Sequence, residues 1–397
     1  MILDADHEGT GLLSGLNVQD EQRTQSRIAR FCAWTVATPL LFCTFYFIVF
    51  GESTPPLYHK FPNDFVWGAA TSSYQIEGAT HQGGRGVSIL DTYCQQPNNI
   101  VDGSNGDVAC DHYHKMKEDV QLMKELGLKA YRFSIAWPRI VPNGKVGVEN
   151  GGINQEGIDF YNRLIDELRN NDIEPWVTLY HWDLPQALQD EYGGWLSPEI
   201  VDDFGNYARV CFDAFGDRVR HWITINEAWT QAVQAYGDGT KAPGITENPD
   251  NVYIAGHHLL LAHTRAVQVY RSLHQTGIIG ISNCGDFRYP LDADSLRDQE
   301  AAERSMVFQY AWLTDPLVFG DYPTQMKERL GHRLPTFTPE QQQELMGSLD
   351  FMGLNHYSTL YASAKQEPSL YGGYWADMDV DFSSDPRWRK NFMVSRN

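Results

Sequence analysis

From Phe65 to Asn355 the chain alternates between short runs that favour extended backbone and longer runs with helical apolar spacing. Regular alternation of this kind belongs to a parallel sheet with helices outside it, because each parallel strand needs a crossover to reach its neighbour. Six strand-like runs stand out: 65–70 (FVWGAA), 130–135 (AYRFSI), 176–180 (WVTLY), 222–227 (WITINE), 278–282 (IIGIS) and 351–355 (FMGLN). The fourth is rich in β-branched residues and ends in an Asn-Glu pair. Between the runs, His112 to Leu126 has an apolar stripe at Met116, Val120, Met123 and Leu126 and closes on Gly127. Gln155 to Asn170 turns Phe160, Leu164, Ile165 and Leu168 to one side, and Pro198–Phe215, Val252–His274 and Ala301–Trp312 continue the helical pattern. An open doubly wound sheet would carry a glycine-rich phosphate turn after its first strand. Gly83-Gly84-Arg85-Gly86 lacks that spacing and reads as a turn. The expected architecture is therefore a (β/α)8 barrel with about six of its eight strands in this chain.

The 397 residues suffice for one such domain, and the net charge of −20 excludes nucleic acid and anionic membrane surfaces as partners. The six cysteines show no metal-ligand spacing and read as mostly free thiols. His257, His258 and His263 miss the i,i+4 face of a helical metal site, so no metal is expected there. His112 and His114 flank a helix start and read as surface or capping residues.

In a barrel the C-terminal strand ends converge on one face, where polar residues read as functional. Here those ends carry Ser72-Ser73-Tyr74-Gln75-Ile76-Glu77-Gly78, Arg132, His181-Trp182-Asp183, Asn226-Glu227 and Asn355-His356-Tyr357. Brought together, they would form a pocket of amides, an imidazole, a guanidinium and a carboxylate beside an indole. Such groups suit sugar hydroxyls and pyranose C–H faces. Taken singly, Arg132 reads as an ion-pair partner, His181 as a core histidine and Trp182 as packing.

The stretches FPNDFVWGAATSSYQIEG from Phe61, YRFSIAWPRI from Tyr131, LYHWDLPQAL from Leu179, WITINEAW from Trp222 and GLNHYS from Gly353 resemble the family 1 glycoside hydrolases of β-glucosidase type, over Phe61 to about Asp385. The resemblance implies a retaining enzyme that hydrolyses terminal β-D-glucosides or related β-glycosides without a cofactor. It implies Glu227 as general acid/base, Asn226 on the sugar 2-hydroxyl, Gln75 and His181 on other hydroxyls with Trp182 beside them. Arg132 and Tyr357 would contact the nucleophile carboxylate, with Asn355 nearby. Ala228 stands where the family usually has Pro, a change in turn shape rather than chemistry. Glu rather than Gln at 227 argues against the thioglucosidase branch.

Retention needs a second carboxylate about 5–5.5 Å from the first. In the family it belongs to a Thr-Glu-Asn-Gly signature on strand seven, which does not occur here. Ile245-Thr246-Glu247-Asn248 imitates it, but Pro249 follows and the segment falls in the loop after strand four, so Glu247 is rejected. The expectation is a C-terminally truncated product in which Glu227 lacks its nucleophile. The alternative is a non-catalytic, membrane-tethered sugar-binding remnant or a non-functional fragment.

Residues 1–30 read as a polar tail and 51–60 as a linker, with the barrel over 61–397. Phe31–Phe50 is uncharged and long enough to span a ~30 Å hydrocarbon core, with Arg23, Arg27 and Arg30 before it. It is expected to be a signal anchor that places the barrel on the extracytosolic side. A cleaved signal peptide (a secreted product) and a mispredicted start (a cytoplasmic one) are the alternatives.

Overall fold

The computed structural model describes residues 60–147, 151–367 and 372–387. The chain divides into a unit up to Phe65 and a unit from Val66 onward. In the first, the rings of Phe61 and Phe65 lie 4.4 Å apart.

Strands β1 (Gly68–Ala70), β2 (Ala130–Ser134), β3 (Glu174–Tyr180), β4 (His221–Asn226) and β5 (Ile278–Cys284) pair in sequence order. A short strand β6 (Phe287–Pro290) then leaves the sheet, and β7 (Phe351–Asn355) pairs with β5 as the sixth member. Every pairing in this sheet is parallel, so all six C-terminal ends lie along one rim. This is the strand-helix arrangement of a (β/α)8 barrel, with six of its strands. The edges are β1 and β7, and Trp67 and Leu354 stand exposed beside them.

The helices bury the faces that their spacing marks. Gln155–Asn170 encloses Phe160, Tyr161, Leu164, Ile165 and Leu168, and Glu199–Phe215 encloses Phe204, Tyr207, Phe212 and Phe215. Asn251–Ser272 is different, being buried on almost every side. Its three histidines therefore need partners inside the protein. Nδ1 of His257 meets Tyr322 Oη at 3.0 Å, and Nδ1 of His258 meets the Trp195 carbonyl at 2.8 Å. Both ring nitrogens of His263 are engaged, by Thr224 and Ser348. Among the described residues no three His, Cys, Asp or Glu side chains gather as metal ligands.

Three expectations are corrected. His112 is not a surface residue: it is 2% exposed and its Nδ1 lies 2.6 Å from Asp119, because the first helical turn packs inward. The first strand is shorter than its apolar run and covers only Gly68–Ala70. The single-pass membrane placement is not supported: among the described residues no helix is long and apolar enough to cross a membrane. The Phe31–Phe50 segment that prompted it lies outside the described residues. The structure also adds a three-stranded sheet, in which β6 pairs parallel with β8 (Thr359–Ala364) and β8 antiparallel with β9 (Val380–Ser383).

One buried ion pair ties the segment after β1 to the segment after β2. Arg139 is fully buried and donates from Nε to Glu77 Oε2 at 3.0 Å and from Nη2 to the Gly78 carbonyl at 3.2 Å. Tyr161 donates to the other Glu77 oxygen at 2.6 Å. Removing one partner of such a pair leaves an uncompensated buried charge. Arg139→Met is therefore expected to destabilise the fold by about 3–5 kcal/mol in chemical denaturation.

Candidate active site

Glu227 follows β4 directly, and the local backbone explains how its side chain is presented. The β4–β5 register shifts between Ile223 and Asn226, and Glu227 then takes a left-handed conformation with φ 51°. A non-glycine residue held there costs about 1–3 kcal/mol and persists only where its surroundings fix it. Its N–H donates to the Ser282 carbonyl of β5 at 2.7 Å. A short helix, Ala228–Thr230, runs straight into a π-helical turn, Gln231–Ala235, a feature often found at functional sites.

The carboxylate is buried and accepts at both oxygens. Asn355 Nδ2 donates to Oε1 at 2.7 Å and Tyr357 Oη to the same atom at 2.9 Å. Thr230 Oγ1 donates to Oε2 at 2.8 Å. Burial and the neighbouring carboxylate both push the Tyr357 hydroxyl upward, so it stays protonated as a donor.

Arg132 on β2 reaches across the rim. Its Nε donates to Thr178 on β3 at 3.0 Å, Nη2 to Asn226 Oδ1 at 2.5 Å, and Nη1 to Asn355 Oδ1 at 3.4 Å. Asn355 Oδ1 also accepts from Ser282 at 2.9 Å, which fixes which end of that amide faces Glu227. Burial pulls the guanidinium below its ordinary range, and the Glu227 charge acts to restore it.

Asn226 Oδ1 is taken by Arg132 and Asn355, so its Nδ2 faces His181 Nε2 at 3.3 Å. His181 Nε2 then accepts, and the proton sits on Nδ1, which is buried without a partner among the described residues. Burial, reinforced by the Arg132 charge, lowers the imidazole to about 3, so it is neutral. Trp182, also left-handed at φ 73°, donates from its indole nitrogen to the Asn226 carbonyl at 2.9 Å.

The structure thus joins Arg132, His181, Trp182, Asn226, Glu227, Asn355 and Tyr357 in one hydrogen-bonded cluster. Gln75 stands apart from this network. It is exposed in the short helix after β1, and its Oε1 accepts from Ser72 at 2.8 Å. The excluded Glu247 is exposed and accepts from the main-chain N–H of Thr246. Thr178, Thr230 and Ser282 were missed as site residues. Thr178 and Ser282 could have been found as polar side chains inside apolar strands; nothing local marks Thr230.

A second chain of hydrogen bonds runs beneath. Ser73 donates from its hydroxyl to Asp183 Oδ2 at 2.6 Å and from its N–H to Ser134 Oγ at 2.7 Å. These residues lie two positions from Gln75, His181 and Arg132, so the ends of β1, β2 and β3 are pinned together. Burial raises the Asp183 carboxyl to about 7, against the Ser73 hydrogen bond.

Residues 57–394 match the family described as Glycosyl hydrolase family 1. The chain belongs to that family. It is 48% identical over 334 residues to beta-glucosidase 24 of Oryza sativa subsp. japonica, covering 80% of this chain and 66% of that protein. It is 47% identical over 360 residues to raucaffricine-O-beta-D-glucosidase of Rauvolfia serpentina, with 82% and 66% covered. Among solved structures, beta-glucosidase 2 of the fungus Trichoderma reesei superposes with a TM-score of 0.78 at 48% identity, over 81% of this chain and 69% of that one. A rice beta-glucosidase gives a TM-score of 0.78 at 46% identity, over 81% and 70%. The chain thus spans just under two thirds of the length of the curated relatives named here.

The neutral imidazole gives a direct test. The folded value of about 3 lies below the ordinary 6.5, so between them only the unfolded chain takes up the proton. This contribution to stability is complete above the ordinary value and is lost progressively as pH falls below it. Nitrogen-detected NMR at about pH 5 is expected to show His181 neutral and protonated on Nδ1, where an exposed histidine is charged.

Proposed function

We propose that this chain carries the acid/base half of a retaining β-glycosidase site for β-D-glucosides or related β-linked sugars. The observation that carries the reading is the buried Glu227 carboxylate, held by Asn355, Tyr357 and Thr230 within a ring of sugar-compatible groups. Its general acid role places a proton on the glycosidic oxygen as the bond to the anomeric carbon breaks. The fixed Asn355 amide presents a donor to Oε1, so a proton there would be opposed. Thr230 can reverse its hydroxyl, so Oε2 is the oxygen that carries and delivers the proton. His181 and the Asn226 amide stand at the strand ends where sugar hydroxyls would bind, and Trp182 supplies an apolar face. Gln75, exposed on the short helix after β1, would offer a further amide to the sugar although it stands outside the hydrogen-bonded cluster.

Family membership supports this chemistry, as does a mutant of the rice relative solved in a covalent complex with Glc. A covalent intermediate requires a nucleophile, and among the described residues no second carboxylate hydrogen-bonds to a side chain of Arg132, Tyr357 or the other members of the cluster; Asp286 accepts from the main-chain N–H groups of Tyr357 and Ser358. We propose accordingly that the nucleophile is not part of this 397-residue sequence.

The chain is expected to release little or no 4-nitrophenol from 4-nitrophenyl β-D-glucoside. Added azide should replace the missing nucleophile, forming the C–N bond of α-glucosyl azide while the aryl oxygen leaves. Glu227→Gln should slow 4-nitrophenol release little, since that group leaves as its anion, and should slow the azide-supported release of phenol from phenyl β-D-glucoside by roughly 10²–10⁴-fold. Ordinary turnover without azide would overturn the missing nucleophile, and inertness with azide would overturn the β-glycosidase reading.

A further inference from the structure

We propose that Lys241 makes the site prefer aglycones that carry a negative charge, an inference that rests on the β-glycosidase reading and refines its substrate class. The aglycone is the group whose oxygen Glu227 would protonate, so it leaves past Glu227 toward the loop that follows β4. Lys241 lies on that loop. Its N–H donates to the Gln234 carbonyl at 3.0 Å, and Ile245 N–H to the Ala235 carbonyl at 2.9 Å. The Ala242 carbonyl accepts from Gln231 Nε2 at 3.2 Å. All three anchors belong to the π-helical turn that continues from Glu227, so the loop is fastened to the element that presents the acid.

The Lys241 ammonium sits 5.6 Å from the centre of the Trp182 ring. The indole nitrogen of Trp182 bonds the carbonyl of Asn226, so one aromatic ring separates this cation from the residue before Glu227. The ring holds the ammonium in place without neutralising it. Lys115, Lys145 and Lys327 each pair with a carboxylate, whereas Lys241 is exposed and pairs with none among the described residues. Asp238 in the same loop is occupied by the N–H and hydroxyl of Thr240. Arg132, the other cation of the site, is turned inward onto Thr178, Asn226 and Asn355.

A net charge of −20 repels anions from the protein as a whole. An unpaired cation beside the Trp182 ring opposes that locally, and a carboxylate on the aglycone would find in it a counter-charge. An exposed pair of this kind corresponds to about a two- to fivefold gain in affinity.

The test is calorimetric binding of 4-carboxyphenyl β-D-glucoside and 4-carbamoylphenyl β-D-glucoside to the full chain. The two ligands share shape and differ in charge. The expected result is a two- to fivefold preference for the carboxylate at low salt, of the order exposed pairs give. Lys241→Gln should remove it, Lys241→Glu should reverse it, and salt raised to about 0.5 M should shrink it. Equal affinity in the unmodified chain, or a preference that survives in Lys241→Gln, would overturn the inference while leaving the sugar site intact. Failure of both glucosides to bind would overturn the β-glycosidase reading and this inference with it.

Discussion

The Arg132 guanidinium is the interaction on which the site depends. It sits on β2 and reaches side chains from β3, β4 and β7, so it links strands that are not neighbours in the sheet. Through Asn226 it sets the amide that faces His181, and through Asn355 the amide that faces Glu227. A buried cation with these partners is costly to leave unsatisfied, and that cost holds the rim in one arrangement. The strained backbone at Glu227 and Trp182 is tolerable because this network over-determines both positions.

Much of this was legible in the sequence because two periodicities were unambiguous. The β-branched and aromatic runs gave all six parallel strands, and the apolar stripe of Gln155–Asn170 gave a helix with its inward face correctly marked. Strand direction then did the rest, since parallel strands place their C-terminal residues on one rim. Arg132, His181, Asn226, Glu227, Asn355 and Tyr357 are found together for that reason.

What was not legible depends on tertiary contact. The strands β6, β8 and β9 are short and partly exposed, and none stood out as a strand in the sequence, since their pairing is set by tertiary contact rather than by an apolar run. His112 looked like a capping residue because nothing local announces Asp119 as its partner. Thr230 falls on a helix whose register depends on the left-handed turn at Glu227, which no sequence rule supplies. The pairing of Gln75 with Ser72 could not be read either, since it follows from the turn after β1 rather than from composition.

The measurement that tests the account most directly is a crystal structure of this chain soaked with phenyl 1-thio-β-D-glucoside, which resists hydrolysis. The account predicts the pyranose on the strand-end rim, its hydroxyls on His181 and Asn226, and the thioglycosidic sulfur within contact of Glu227 Oε2. A sugar seated away from this rim, or one with its anomeric substituent turned from Glu227, would contradict it.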